Sequence, residues 1–301
     1  MRAVNASVHL LGRVLPALVH VQANIPESHP SARLLGTERM GSGTLIDPSG
    51  LVLTVNYVVL GAREVTVTLL DQQEYTGHVV KHDFRSGLGL VRIAATGLPA
   101  LPLQSSKDVQ LGEDVFLVAS IGGGQARLST GNVSYIGPFD ANWEYVVDRG
   151  MMTTAMNPGL GGGPLLNSLG HVLGVVSLNL NEIGRFSFVV PSDYYLDAQD
   201  EFLAGGPTGM GRRAWLGVFC YALNSHVVVA GTLPGGPGER AGLRAGDVIL
   251  GIDEREVPDR ASLYRYLGTR QPGEPVSLRI FRGSEAHVVT IAAGDVVAFF
   301  A

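Results

Sequence analysis

Short runs of β-branched and aliphatic residues, each stopped by glycine or proline, recur along most of this 301-residue chain. Residues 41–54 show the unit: an apolar run, the turn Asp47-Pro48-Ser49-Gly50, and a second apolar run. Residues 64–70 and 74–80 repeat it as a hairpin across Asp71-Gln72-Gln73. Runs this short, bounded by turn residues, fit strands and leave no room for long helices. The 40 glycines supply the turns. The expected fold class is therefore mainly β. Helical spacing is confined to short stretches. Ser7 is expected to cap one that carries Val8, Leu11, Val14 and Leu15 and stops at Pro16. The others are residues 193–203 and 259–267.

A chain of this length suggests roughly two domains. Gly205-Gly206-Pro207-Thr208-Gly209-Met210-Gly211 is the clearest linker, so the boundaries read as 1–204, a linker at 205–212, and 213–301. Charged residues make up only 16 % and the net charge is −5. With no Lys/Arg cluster, nucleic-acid binding is not expected. Cys220 is alone, which excludes an intramolecular disulfide, and it reads as a small buried apolar side chain. Arg13 and Pro16 interrupt the first apolar run, and no segment approaches the ~20 apolar residues of a membrane span. Neither a signal peptide nor an anchor is read in this chain, which is expected to be soluble; the compartment stays open.

The loop Met156-Asn157-Pro158-Gly159-Leu160-Gly161-Gly162-Gly163-Pro164-Leu165-Leu166 resembles the nucleophile loop of the HtrA/DegP family of trypsin-fold serine proteases, Asn-Pro-Gly-Asn-Ser-Gly-Gly-Pro-Leu. Gly161 stands at the serine. Upstream, Val55-Asn56-Tyr57-Val58-Val59 matches the family's Asn-His-Val-Val, with Tyr57 at the histidine. Residues 83–91 follow Asp-x-x-Thr-Asp-Leu-Ala-Val, with Asp83 at the first aspartate and Gly87 at the catalytic one. The resemblance implies a trypsin-like double β-barrel in which every triad position has changed. It leaves Gly159, Leu160 and Gly161 as a vestigial oxyanion loop, where backbone N–H groups can still turn inward. Tyrosine, with an ordinary pKa of ~10, is a poor base near neutral pH, and Tyr57 reads as an aromatic filling the histidine's space.

The same resemblance extends through the C-terminal part, over roughly residues 5 to 295 in all. Residues 235–250, Gly-Gly-Pro-Gly-Glu-Arg-Ala-Gly-Leu-Arg-Ala-Gly-Asp-Val-Ile-Leu, carry a PDZ signature. Trp215-Leu216-Gly217-Val218 resembles the loop that binds a peptide's C-terminal carboxylate. Leu263 and Leu267 share one face of the following helix, where they would line the side-chain pocket. A PDZ groove takes an extended peptide by strand addition. The implied partners are C-terminal or extended peptides and unfolded proteins, with a homo-oligomer, a trimer in the family, or an active HtrA paralogue as further possibilities. No cofactor is implied.

Other polar residues read as structural. His20 is a packed or edge histidine. Residues 24–40 form a surface loop. His82 and Asp83 point to opposite faces of a strand and read as surface residues. His78 and His82 would lie ~13 Å apart on that strand, too far to share a metal. Thr153, Thr154, Ser168 and His171 flank the glycine loop, but no spacing supplies the bonded nucleophile and base that a relocated triad needs. The expectation is a catalytically inactive peptide-binding protein of chaperone-like, scaffolding or regulatory type. Against it stand an active quality-control endopeptidase with a relocated nucleophile, and a cleft over Tyr57 that holds a small ligand.

Overall fold

The computed structural model describes residues 2–141, 144–181, 184–204 and 212–301. The glycine-rich stretch 205–211, most of the expected linker, lies outside the described residues. The chain divides into two compact units, Met1–Gly137 with Arg149–Gly206, and Pro138–Asp148 with Pro207–Ala301. Residues 138–148, which the sequence places inside the first domain, thus group with the second unit.

In the first unit, α1 (Arg2–Val14) begins well before Ser7. That serine lies inside the helix rather than at its cap. Ala3 and Ala6 upstream are good helix formers and extend the helix toward the N-terminus. Pro16 ends it in a single 3₁₀ turn, Leu15–Ala17. The first barrel comprises β1 (Leu18–Asn24), β2 (Glu38–Asp47), β3 (Leu51–Val55), β4 (Val65–Leu69), β5 (Glu74–His82) and β6 (Leu88–Ile93). It closes in the order β1-β2-β3-β6-β5-β4. On β4, Val65, Val67 and Leu69 are buried while Thr66 is exposed, the two-residue period of a strand with one apolar face. Closure removes free strand edges.

Two short helices interrupt this barrel. One is α2 (Ala32–Leu35), between β1 and β2. The other is α3 (Asn56–Val59), which follows β3 directly. The stretch expected to be a surface loop is thereby structured. Ser31 and Arg39 are buried polar residues within it.

The second barrel comprises β7 (Asp114–Gly122), β8 (Gln125–Ala141), β9 (Tyr145–Thr153), β10 (Pro164–Leu166), β11 (Val172–Leu180) and β12 (Phe186–Pro191). Its order is β10-β11-β12-β9-β8-β7. Leu117, Val133, Met151, Leu165, Val176 and Val189 pack in its core. The helix expected over residues 193–203 is two pieces, α4 (Asp193–Leu196) and α5 (Gln199–Ala204). Tyr195 and Phe202 anchor one piece each and meet edge-on, ring centroids 5.2 Å apart.

The second unit is built on β13 (Ala214–Trp215), β14 (Val218–Leu223), β15 (His226–Thr232), β16 (Val248–Ile252), β17 (Arg255–Glu256), β18 (Pro275–Arg282), β19 (Glu285–Ala292) and β20 (Gly294–Asp295). The main sheet runs β14-β15-β16-β18-β19, so β14 is an edge strand, and β13 pairs with β20. Its helices are α6 (Pro237–Arg240), α7 (Arg260–Gly268) and α8 (Val296–Phe299). Asp259 caps α7 by accepting the Ser262 N–H at 2.7 Å. Leu216, Val218, Val229, Ile249, Leu263, Leu267 and Ile280 share one core. Among the described residues no helix is long and apolar enough to cross a membrane.

Candidate functional site

The triad positions read from the sequence come together in the first unit. Tyr57 lies on α3, directly after the buried strand β3. Its hydroxyl donates to the Ser177 carbonyl at 2.8 Å. That carbonyl is available because the register of β11 against β12 shifts between Val176 and Leu178. A Cβ built on Gly161 would lie well inside 3.0 Å of the Tyr57 hydroxyl, closer than real Cβ atoms come. Tyr57 therefore occupies the space in which a side chain at 161 would begin. Burial pushes its pKa up to about 12, so the hydroxyl keeps its proton at neutral pH and cannot serve as a base.

Gly87 immediately precedes β6 and its carbonyl accepts the Asn56 N–H at 2.7 Å, next to Tyr57. Its φ is +79°. That left-handed geometry costs an L-residue roughly 1–2 kcal/mol. An aspartate at this position would meet a backbone already shaped for glycine.

The vestigial oxyanion loop is largely bonded to the protein itself. Gly159 N–H donates to Asn157 Oδ1 at 3.4 Å. Leu160 N–H donates to the Ser120 carbonyl at 3.1 Å. The Gly161 carbonyl accepts the Ser42 N–H at 2.7 Å, and the Ser42 hydroxyl donates to the Leu160 carbonyl at 2.8 Å. Ser42, on β2, thus holds both carbonyls of the loop's tip.

Buried polar residues support Tyr57 from below. Arg39 donates to the carbonyls of Gly36, Tyr57 and Leu60, each at 3.0 Å, and to the Ser31 hydroxyl at 2.7 Å. All these partners are neutral, and burial lowers the guanidinium pKa to about 10. His82 and Asp83, expected at the surface, are not surface residues. Asp83 is 3 % exposed. Its carboxylate accepts from Ser86 Oγ at 2.5 Å and from Arg85 Nε at 3.0 Å. His82 is half-buried and its Nδ1 lies 2.6 Å from Asn56 Oδ1. Burial, then the charges of His29 and Lys81, lower its pKa to about 4. β5 ends at His82, so the alternation argument does not reach Asp83, and both side chains are covered rather than at the surface. His78 is exposed on β5. His20, on β1, is half-buried beside the Ser120 hydroxyl at 3.4 Å. Cys220 is buried, with its pKa pushed up to about 12 by burial, which keeps it a thiol.

The second unit holds the other candidate site. Leu216 and Val218 flank Gly217, whose φ is +71°. This bend lets the flanking N–H groups point to one acceptor. That acceptor is Glu144: Oε2 lies 2.9 Å from Leu216 N and Oε1 2.7 Å from Val218 N. Burial raises the Glu144 pKa, opposed by its bonds to these amides and by the Arg213 charge.

The side chains expected to line the groove, Trp215, Leu216, Val218, Leu263 and Leu267, are all buried. Leu216, Val218, Leu263 and Leu267 lie in the PDZ core, and Val146 packs against that core. Trp215 does not line a groove. It is 3 % exposed, with its ring 4.9 Å from Phe299 and 6.0 Å from Phe300, and its backbone pairs with Gly294. The terminal aromatics, which carry no recognisable PDZ signature, claim this indole. Sequence reading also missed Glu144, Arg39 and Arg260. Nothing local in the sequence around Asp140 or Glu144 signals what their side chains reach.

Comparison with known proteins fits this architecture. The family described as "Trypsin-like peptidase domain" matches residues 41–175, and "PDZ domain" matches residues 214–292. The "Probable periplasmic serine endoprotease DegP-like" of Hahella chejuensis is 32 % identical over 273 residues, which are 86 % of this chain and 57 % of the relative. The protein of the same description from Halomonas elongata is 32 % identical over 286 residues, 88 % and 59 % of the respective chains. The present chain thus spans less than two thirds of the length of these relatives. The solved structure "HtrA-type protease AlgW with decapeptide" shares 25 % identity at a TM-score of 0.58, covering 96 % of this chain and 98 % of that one. A serine endoprotease from Yersinia pestis, 21 % identical at a TM-score of 0.58 over 96 % and 97 % of the two chains, has the same fold. The chain is HtrA/DegP-like, a trypsin-like peptidase domain followed by a PDZ domain.

Proposed function

We propose that this protein binds peptides or unfolded polypeptide segments through its PDZ groove, in a scaffolding, chaperone-like or regulatory role, and carries out no triad proteolysis. One observation carries the second half: the Tyr57 hydroxyl stands where a side chain at 161 would begin. Triad chemistry needs a nucleophile bonded to a base held by a third group. Here the first position has no side chain, the second keeps its proton, and the third is a glycine. Losing the serine or the histidine alone lowers turnover by about 10⁶ in the subtilisin case. The binding half is supported by the Leu216 and Val218 amides, which already hold a carboxylate, the group a peptide C-terminus offers. The peptide-bound AlgW structures support it further. Partners of this kind are C-terminal or extended peptides; self-association or pairing with an active HtrA paralogue would present several grooves at once.

The names of the relatives favour a second reading, an active endopeptidase with a relocated nucleophile. Thr153, Thr154 and Ser168 are the hydroxyls that flank the loop most closely in sequence. Thr153 Oγ1 donates to the Asn132 carbonyl at 2.9 Å, and Thr154 Oγ1 accepts the Asn132 N–H at 2.9 Å. Neither bond supplies a base. Casein cleavage separates the readings. Purified wild type is expected to be inert; activity that follows the protein through purification and vanishes in a Thr153→Val or Thr154→Val variant would establish the second.

A further inference from the structure

The loop expected to receive a peptide's terminal carboxylate already contains one. Each Glu144 oxygen takes one amide, Oε2 from Leu216 and Oε1 from Val218. Glu144 is 1 % exposed. Burying a carboxylate is unfavourable unless hydrogen bonds replace its water, and charge-assisted bonds to backbone amides do that. The residue also sits at φ +60°, a left-handed conformation that non-glycine residues seldom take. A strained backbone carrying a buried acid is held only when its surroundings secure it.

The surroundings do so. Asp140 Oδ2 lies 2.6 Å from Arg260 Nε at the start of α7. Arg260 Nη1 also donates to the Cys220 carbonyl on β14 at 2.9 Å, so the same arginine ties the segment to both walls of the groove. Val146 packs against the core that contains Leu263 and Leu267. Residues 138–148 therefore supply a carboxylate, an apolar side chain and an anchoring ion pair to the groove of the unit they belong to.

We propose that Glu144 is an internal ligand of the PDZ carboxylate loop, and that a peptide C-terminus enters only by displacing it. This rests on reading the groove as a peptide site. The occupant is tethered, so it competes at high effective concentration. Apparent peptide affinity then falls by the fraction of molecules whose loop is open. Displacement returns the Leu216 and Val218 amides to the incoming carboxylate.

The test uses the full chain, with Glu144→Ala and Glu144→Gln as variants; the second keeps the side-chain volume should the first fold poorly. The probe is a fluorescein-labelled library of six random residues ending in Val, as free acid and as C-terminal amide, followed by fluorescence polarisation. Hydrogen–deuterium exchange over residues 214–219 reports the amides directly. We expect both variants to bind the free-acid library at least tenfold more tightly than wild type, with the amide library unchanged and exchange at 214–219 faster. Equal free-acid binding by wild type and variants, with unchanged exchange, overturns the internal ligand and leaves the peptide site standing. Faster exchange in the variants with no free-acid binding by any of them removes the peptide site, and displacement falls with it.

Discussion

Both candidate sites are filled by the protein's own side chains, but in different ways. In the barrel cleft, Tyr57 fills the place of a side chain at 161, and the framework is closed around it: Ser177 accepts its hydroxyl, Arg39 holds its carbonyl, and Gly87 has taken a glycine's φ. At the Leu216–Val218 loop, the Glu144 carboxylate accepts both amides, an occupant we propose to be exchangeable. The cleft occupant belongs to the element that builds the site. The groove occupant comes from a segment some seventy residues upstream of the loop it fills, |i−j| of 72 and 74. A side chain built into its own framework can leave only by mutation, whereas one delivered by a remote segment can leave by movement.

The largest expected effect tests how fixed the cleft is. Arg39→Met removes a buried guanidinium that donates to three carbonyls and a hydroxyl. Leaving buried acceptors unpaired costs about 1–3 kcal/mol each, partly recovered by water. We expect a loss of about 3 kcal/mol or more in urea denaturation, against little change in a peptide-binding assay. A loss below 1 kcal/mol would mean that the cleft is not held by this residue.

The next prediction concerns Tyr57 and Gly161 as a pair. Gly161→Ala drives a methyl into the Tyr57 hydroxyl, and over-packing of this kind costs about 1–3 kcal/mol. In a Tyr57→Phe background the colliding oxygen is gone, which leaves the Ser177 carbonyl oxygen 3.1 Å and the nearest ring carbon 3.4 Å from the added methyl. The alanine should then cost clearly less than in the wild type, with the tight Ser177 contact as the remainder. The double-mutant cycle should give a coupling of at least 1 kcal/mol; additive costs would show that the two positions do not compete for one space.

These couplings mark where the sequence stopped being informative. Period-two alternation in β4 and the turn residues between strands were enough to expect a mainly β chain, while the motif frames implied the barrels and located Tyr57, Gly87, Gly161 and the Leu216–Val218 loop. Alternation reports which face a side chain takes, not what covers that face. His82 and Asp83 were assigned opposite faces and both proved covered. Glycine at 161 announced a missing nucleophile but not the hydroxyl lying over it. Residues 24–40 lack a period because Pro26, Pro30 and several polar residues break it, and the backbone carbonyls that hold Arg39 leave no pattern in sequence. Glu144 and Trp215 find their partners at long sequence separation, and no local signal encodes such pairings.

His82 offers a pH test on the cleft side. Its folded pKa of about 4 lies below the ordinary 6.5 because of burial and the neighbouring His29 and Lys81 charges. Between those values the unfolded chain binds a proton that the folded chain does not. Folding stability should therefore fall as pH drops from 6.5 toward 4, by about 1–3 kcal/mol. In His82→Gln, which keeps a hydrogen bond to Asn56 within reach, that part of the slope should flatten. An unchanged slope would assign it to other groups.

The smallest effect belongs to the groove. Asp259 caps α7, the helix that carries Leu263 and Leu267, through a 2.7 Å bond from the Ser262 N–H. Asp259→Ala should cost about 1 kcal/mol, the usual worth of a cap. Asp259→Asn should restore most of it, since the amide oxygen can accept the same bond. The decisive readout is local: hydrogen exchange should quicken at the start of α7 while the barrel strands stay unchanged. If the first turn of α7 loosens in this way, Arg260 loses its fixed position, and with it the Asp140 contact that holds the Glu144 segment. Exchange at residues 214–219 should then rise slightly in Asp259→Ala and not in Asp259→Asn. Such a graded response would make the groove occupant dependent on its helix, whereas Tyr57 depends on the barrel frame around it.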